Sequence, residues 1–192
     1  EKPLALTLEE VNQIRQAAMD NSKSVVVGFN RRFSLHMTKI KSALGDGAGA
    51  INMIATMNAG FIPSDVWVHD MEVGGGRIIG EACHYIDLMV YLSGSKVSSI
   101  CMSALGNNPQ ENTDNASLLV KFENGSQGTI NYFANGSKSY SKERIEVYSQ
   151  ERTFVCDNFR LTKGYGVKVI NVSKASILAI QSLKTGTWIN VE

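Results

Sequence analysis

Apolar residues recur along this chain at two different periods, and the switch between them divides it. Near the start, Leu8, Val11, Ile14 and Ala18 stand three or four residues apart, the spacing of one helical face, which predicts a helix over 8–21. Thr7, followed three residues later by Glu10, forms a capping box there: hydroxyl and carboxylate each satisfy a backbone N–H that the first turn leaves unpaired. The unbroken run Val25-Val26-Val27 predicts a buried strand over 24–30. Leu35, Ile40 and Leu44 can share one face of a second helix over 34–44, which Gly45-Asp46-Gly47 ends. A strand over 51–58 and an irregular loop over 63–73 follow. A further helix then runs through Leu88, Met89 and Leu92 and stops at Gly94.

Beyond that helix the period becomes two. A strand is predicted over 97–105. Ala116, Leu118, Val120 and Phe122 then alternate with polar neighbours, as in a half-buried strand. Asn124-Gly125 is a hairpin turn, and 129–133 returns antiparallel. Segments 144–148 and 153–156 suggest a second hairpin. In the tail, Ile177, Leu178, Ile180 and Leu183 mark a short amphipathic helix, and 188–191 a last strand. Helices early and a meander of strands late argue for an α+β fold with an open, mainly antiparallel β-sheet and helices on one face. Leu119, Phe133 and Tyr148 alternate with the set containing Leu118, Tyr132 and Val147, so the second face is also partly apolar. Another subunit covering that face and scattered surface apolar residues both account for this pattern.

Composition narrows the function classes. With 192 residues the chain can bury a proper core, and 19 basic against 18 acidic residues leave a net charge of +1. That balance lacks the electrostatic footprint of a nucleic-acid binder. No apolar run approaches the roughly 18 residues of a membrane helix. Cys83, Cys101 and Cys156 are an odd set without CxxC spacing, which fits free thiols in a reducing cytoplasm.

Chemistry concentrates in 74–87. Three glycines, Gly74 to Gly76, precede a helical segment carrying Glu81, His84 and Asp87. Their spacing places Glu81 and His84 on one face and lets His84 meet Asp87. Histidine is the side chain most easily poised to exchange a proton near neutral pH, and a glycine-rich approach lets a ligand come close to the backbone. An ordinary glycine loop before a helix with one hydrogen-bonded histidine also fits these residue types. A metal site using His69, Asp70, Cys83 and His84 is disfavoured, because adjacent helical residues diverge by about 100° and no HxxxH or CxxC pattern supports it.

Three segments, in order, carry a resemblance. Glu1-Lys2-Pro3 looks like an EKP motif that closes a nucleotide-binding domain. Val27-Gly28-Phe29-Asn30-Arg31-Arg32-Phe33 is similar to a segment that opens a C-terminal domain. Trp67, the glycine triplet, His84 and Asp87 look like an active-site loop and helix. Over residues 1 to about 165 the chain thus resembles the C-terminal portion of the Gfo/Idh/MocA oxidoreductases, the glucose-fructose oxidoreductase and inositol dehydrogenase family. The resemblance implies that 1–23 is the end of a nucleotide-binding domain and 24–192 an α+β domain for substrate binding and oligomerisation. It implies hydride transfer between NAD or NADP and a sugar, nucleotide sugar or cyclitol hydroxyl, in a homodimer or higher oligomer paired through the sheet.

By the same resemblance Lys2 and His84 are the catalytic pair, with Lys2 stabilising negative charge on the reacting oxygen and His84 handling the hydroxyl proton. Glu81, Asp87, Trp67, Asn30 and Arg31 are candidate substrate contacts, and Pro3 and Arg32 candidate cofactor contacts. Asp87 either orients His84 or pins a neighbouring loop; the two arginines bind anionic groups or make surface ion pairs. Many family members carry an aspartate four residues before the histidine, where this chain has Gly80, and Glu81 stands one position later. No GxGxxG followed by a helix and an acidic residue occurs, so the chain reads as a fragment whose cofactor is held mainly elsewhere and which is inactive alone. A non-catalytic binding or assembly module that keeps the fold is the competing reading.

Overall fold

The computed structural model describes residues 2–167 and 170–190. Helix α1 (Leu8–Asp20) carries the expected capping box, with the Thr7 side chain accepting from the Glu10 N–H and the Glu10 carboxylate accepting from the Thr7 N–H. It buries none of its residues. Helix α2 (Leu35–Leu44) starts at Ser34, whose hydroxyl accepts from the Met37 N–H, and ends at Gly45 with φ of 72°. Helix α3 (Cys83–Ser93) ends where Gly94 takes the left-handed conformation, which spares a side chain the clash there. Helix α4 (Ile170–Thr185) is longer than the short amphipathic helix predicted for the tail.

Seven strands form one sheet among the described residues: β1 (Asn52–Asn58), β2 (Val97–Ala104), β3 (Asn115–Phe122), β4 (Gln127–Phe133), β5 (Glu143–Ser149), β6 (Arg152–Asp157) and β7 (Leu161–Tyr165). Their order is β2-β3-β4-β1-β5-β6-β7, and every pairing is antiparallel except β1 with β4. The fold is therefore α+β with an open, mainly antiparallel sheet. That one parallel pair needs a crossover, supplied by the chain through α3, β2 and β3.

Alternation decides what the sheet buries. Met53, Ala55 and Met57 of β1, Leu118 and Val120 of β3, Ile130 and Tyr132 of β4, and Ile145 and Val147 of β5 all face one side. Met37, Ile40 and Leu44 of α2 and Tyr85, Leu88, Met89 and Leu92 of α3 close that side into a single core. Gly128 of β4 permits the approach, because a Cβ there would press into the Met89 thioether. On the opposite face Leu119, Phe133 and Ile54 are solvent-accessible beside polar residues such as Thr129, Asn131 and Glu146.

Three expectations are corrected. Residues 24–30 form no strand, although they carry three valines: no described strand lies alongside to take up their backbone groups, and Val26 is 88 % exposed. Strand β7 was not anticipated, since this sheet-edge segment carries Gly164 and exposes Leu161 and Tyr165 rather than alternating. Residues 188–190 form no strand, and Val191 lies outside the described residues. Among the described residues no helix is long and apolar enough to cross a membrane.

Candidate active site

The glycine triplet shapes the approach to α3. A Cβ on Gly74 would lie 2.5 Å from the Trp67 carbonyl oxygen and 2.8 Å from Val68 Cα, so the chain doubles back onto the 3-10 turn Trp67–His69 only with glycine there. Gly75 and Gly76 both adopt positive φ, of 69° and 70°. The triplet's first task is this close packing of backbone on backbone. Residues Ile78–Ala82 then form one π-helical turn before α3, a wider winding often found where a helix presents functional groups.

That turn, the Trp67 loop and the N-terminal segment enclose a cavity of about 370 Å³. Lys2, Pro3, Trp67, Arg77, Gly80 and Glu81 are among its walls. Lys2 Nζ donates to the Gly80 carbonyl oxygen at 2.6 Å, which anchors the ammonium across 78 residues of sequence. Glu81 is held from two sides: Tyr132 Oη donates to its Oε2 at 2.7 Å, and Arg77 Nε lies 3.3 Å from its Oε1. Burial pushes the Glu81 carboxyl up, but the Tyr132 hydroxyl, Arg77 and Lys2 outweigh it, and the group sits below the usual carboxylate range. Trp67 is 64 % exposed at the rim, beside exposed Val73.

His84 lies one turn further on and is 7 % exposed, with Nδ1 buried and without a hydrogen-bond partner. Its ring meets that of Phe29 edge-on at 5.9 Å. Burial and the positive charges of Arg31 and Lys2 push its pKa down to about 4, against smaller opposing effects of Glu143 and Asp87. The imidazole is thus neutral at physiological pH.

The remaining candidates are placed around this centre. Asp87 does not hydrogen-bond His84; its carboxylate is taken by Arg32, with Nε to Oδ2 at 2.9 Å, and the Arg32 guanidinium also lies over the Tyr91 ring. That ion pair ties the 3-10 turn Arg31–Phe33 to α3. Arg31 forks onto Glu143 at 2.8 and 3.0 Å and stacks 5.1 Å from the Tyr85 ring centre. With Asn30 it borders a separate cavity of about 270 Å³. Lys2, Pro3, Trp67 and Glu81 therefore share one cavity, whereas Asn30 and Arg31 line another and Arg32 and Asp87 pair with each other. Buried His84 lines neither cavity, so the spacing that suggested a shared face with Glu81 does not bring the two side chains to one surface. Among the described residues, no three of His, Cys, Asp and Glu come together as metal ligands.

Arg77 and Tyr132 were missed by sequence reasoning. The only local signal was the i, i+4 spacing of Arg77 and Glu81; nothing local links Tyr132, which is 51 residues from Glu81.

The sequence and the fold match known proteins. Residues 37–155 match the family described as the GFO/IDH/MocA C-terminal domain. The chain is 27 % identical over 168 residues to the Bacillus subtilis oxidoreductase YrbE, covering 84 % of this chain and 48 % of that protein. Over the same length it is 26 % identical to the myo-inositol 2-dehydrogenase of Thermotoga maritima, covering 84 % and 49 %. The chain thus spans about half the length of the curated relatives it matches. Among solved structures, an NAD-binding oxidoreductase from Klebsiella pneumoniae superposes with a TM-score of 0.73 at 21 % identity, over 89 % of this chain and 50 % of that one. The WlbA dehydrogenase of Bordetella pertussis, solved with NADH and UDP-GlcNAcA, superposes at 0.69 and 16 % identity over 99 % and 61 %. The match over most of the sheet and both core helices, on the fold just described, places the chain in the GFO/IDH/MocA family as its C-terminal domain.

Proposed function

We propose that this chain is the substrate-binding and oligomerisation part of an NAD(P)-dependent oxidoreductase acting on a hydroxyl of a sugar, nucleotide sugar or cyclitol. The observation that carries the reading is the grouping of a lysine and a carboxylate in one cavity, on the helical turn before a buried, neutral histidine. The names of the relatives support the substrate class: a myo-inositol dehydrogenase and a dehydrogenase solved with a nucleotide sugar.

The chemistry supplied by a nicotinamide, when one is bound, would be that of hydride acceptor for the carbinol carbon. This cavity fits such a ring, with the exposed Trp67 and Val73 offering an apolar rim beside the polar floor of Lys2 and Glu81. Lys2, fixed by the Gly80 carbonyl, donates to the reacting oxygen and stabilises the negative charge that grows there. His84 receives the hydroxyl proton in the oxidising direction and returns it in the reducing one. Glu81 accepts from a neighbouring hydroxyl. Pro3 shapes the cavity wall next to Lys2, Arg32 and Asp87 tie the turn that follows Asn30 to the helix that carries His84, and Arg31 ties the same turn to β5.

Residues 1–23 belong in this reading to a nucleotide-binding domain. The exposure of Leu8 and Met19 on α1 supports it, since both present apolar surface for a cover. The polar-apolar open face of the sheet serves subunit pairing. The test is turnover by the longer protein that contains this chain, with myo-inositol and UDP-sugars as substrates and NAD or NADP as oxidant. Loss of turnover on Lys2→Met and His84→Ala is expected, and the isolated chain should bind the cofactor weakly and not turn over. Full cofactor binding with no oxidation of any such hydroxyl, indifferent to His84→Ala, would establish the non-catalytic module instead.

A further inference from the structure

We propose that Arg77 is a positioning residue: from the cavity wall it holds the Glu81 carboxylate in the space that Lys2 also lines, as the acceptor for a ligand hydroxyl. The inference rests on reading that cavity as a polyol site. It gives a role to two side chains that neither the resemblance nor the spacing of residues had singled out.

Arg77 is 2 % exposed, and a cation so buried persists only with compensating partners. Its two ends are compensated separately. Nη1 donates to the Gly60 carbonyl oxygen at 2.9 Å and lies 3.3 Å from Asp114 Oδ2, and Asp114 is itself held by Asn115 Nδ2 at 2.8 Å. Nε faces Glu81, while the guanidinium carbon lies 5.3 Å from the centre of the Tyr132 ring. Because Asp114 already neutralises the arginine, Glu81 can spend its remaining valence on a ligand without leaving a buried cation unpaired.

The geometry at Glu81 suits that use. Each carboxylate oxygen has one protein donor, Arg77 Nε on Oε1 and Tyr132 Oη on Oε2, and each retains an acceptor position. The carboxylate is partly exposed, at 29 %, on the cavity side. Gly80, beside it, offers the cavity no side chain, and its carbonyl is occupied by Lys2. A scaffold role alone would need only the Gly60 and Asp114 contacts; the link through Nε and Tyr132 runs toward the cavity.

The test uses this chain labelled at its glutamate carboxyl carbons, titrated by NMR as wild type, Arg77→Met, Arg77→Lys and Tyr132→Phe, with myo-inositol as the added probe. Arg77→Met should move the Glu81 midpoint up, because burial then acts without the guanidinium, and Arg77→Lys should recover part of the shift. Myo-inositol should perturb the Glu81 resonance in wild type and bind about tenfold more weakly to Arg77→Met. If Arg77→Met does not fold, Arg77→Lys and Tyr132→Phe carry the test, each expected to raise the midpoint. A Glu81 titration unchanged in every folded variant, whatever the loss in Tm, overturns the inference and leaves Arg77 a scaffold residue. A titration that depends on Arg77 in a protein whose spectra ignore myo-inositol and UDP-sugars supports the positioning and overturns the reading of the cavity.

Discussion

Lowering the pH should unfold this chain partly through one imidazole. His84 titrates at about 4 in the fold, against an ordinary 6.5. The folded state therefore resists a proton that the unfolded chain takes up. The histidine's contribution is fully present above about pH 6.5 and is lost as the pH falls toward 4. Linkage between those two values gives a loss of about 2 kcal/mol by about pH 5, an upper figure because solvent reaching the ring screens part of the shift. The Glu81 and Glu146 carboxyls, held low by their hydrogen-bond partners, add to acid destabilisation only below the ordinary carboxylate range, under the window of the histidine. The assay is therefore a double comparison, urea unfolding of wild type and His84→Gln at about pH 7.5 and about pH 5. Wild type should lose more stability than the variant between the two, by up to that amount. An identical pH dependence in both proteins, or an imidazole titrating near 6.5 by NMR, would refute the argument that burial and the charges of Arg31 and Lys2 keep this ring neutral.

Other perturbations test the supporting structure. Asp87→Asn removes the partner of a half-buried guanidinium and should cost about 1–3 kcal/mol in thermal unfolding. Gly74→Ala forces a methyl against the Trp67 carbonyl and Val68 Cα; it should displace the Trp67 turn, seen as a change in tryptophan emission alongside a lowered Tm. Gly128→Ala drives Met89 off the sheet and should cost about 1–3 kcal/mol with little effect near Glu81. Leu119→Arg, at a position 57 % exposed on the open face, should convert any homo-oligomer to monomer by light scattering and leave a monomeric chain unchanged in Tm.

What could be read from the residues depended on whether the information was local. The capping box at Thr7 and Glu10, the stop at Gly94 and the Asn124-Gly125 hairpin are local, and each appears where expected. The alternation from Ala116 to Phe122 likewise told which side of β3 is buried. Val25 to Val27 misled because a valine run states only a preference for extended, covered backbone, and cover comes from elsewhere. Strand β7 was invisible because an edge strand needs only backbone pairing, here with β6, and carries no buried face of its own. At the candidate site, the positions of Glu81, His84 and Asp87 on consecutive turns were legible, but their partners were not. Asp87 pairs with Arg32, 55 residues away, and Glu81 with Tyr132, so the helix spacing that suggested a His84–Asp87 contact was outweighed by a guanidinium from another element.

The claim on which the account turns is that Lys2 and His84 serve hydride transfer at a substrate hydroxyl. Single-turnover oxidation of myo-inositol or a UDP-sugar, followed by NAD(P)H absorbance in the longer protein that contains this chain, measures it most directly. The account predicts a chemical step slowed by about 100-fold or more in His84→Ala and in Lys2→Met, with cofactor affinity retained. A step that proceeds at the wild-type rate without the imidazole would contradict it.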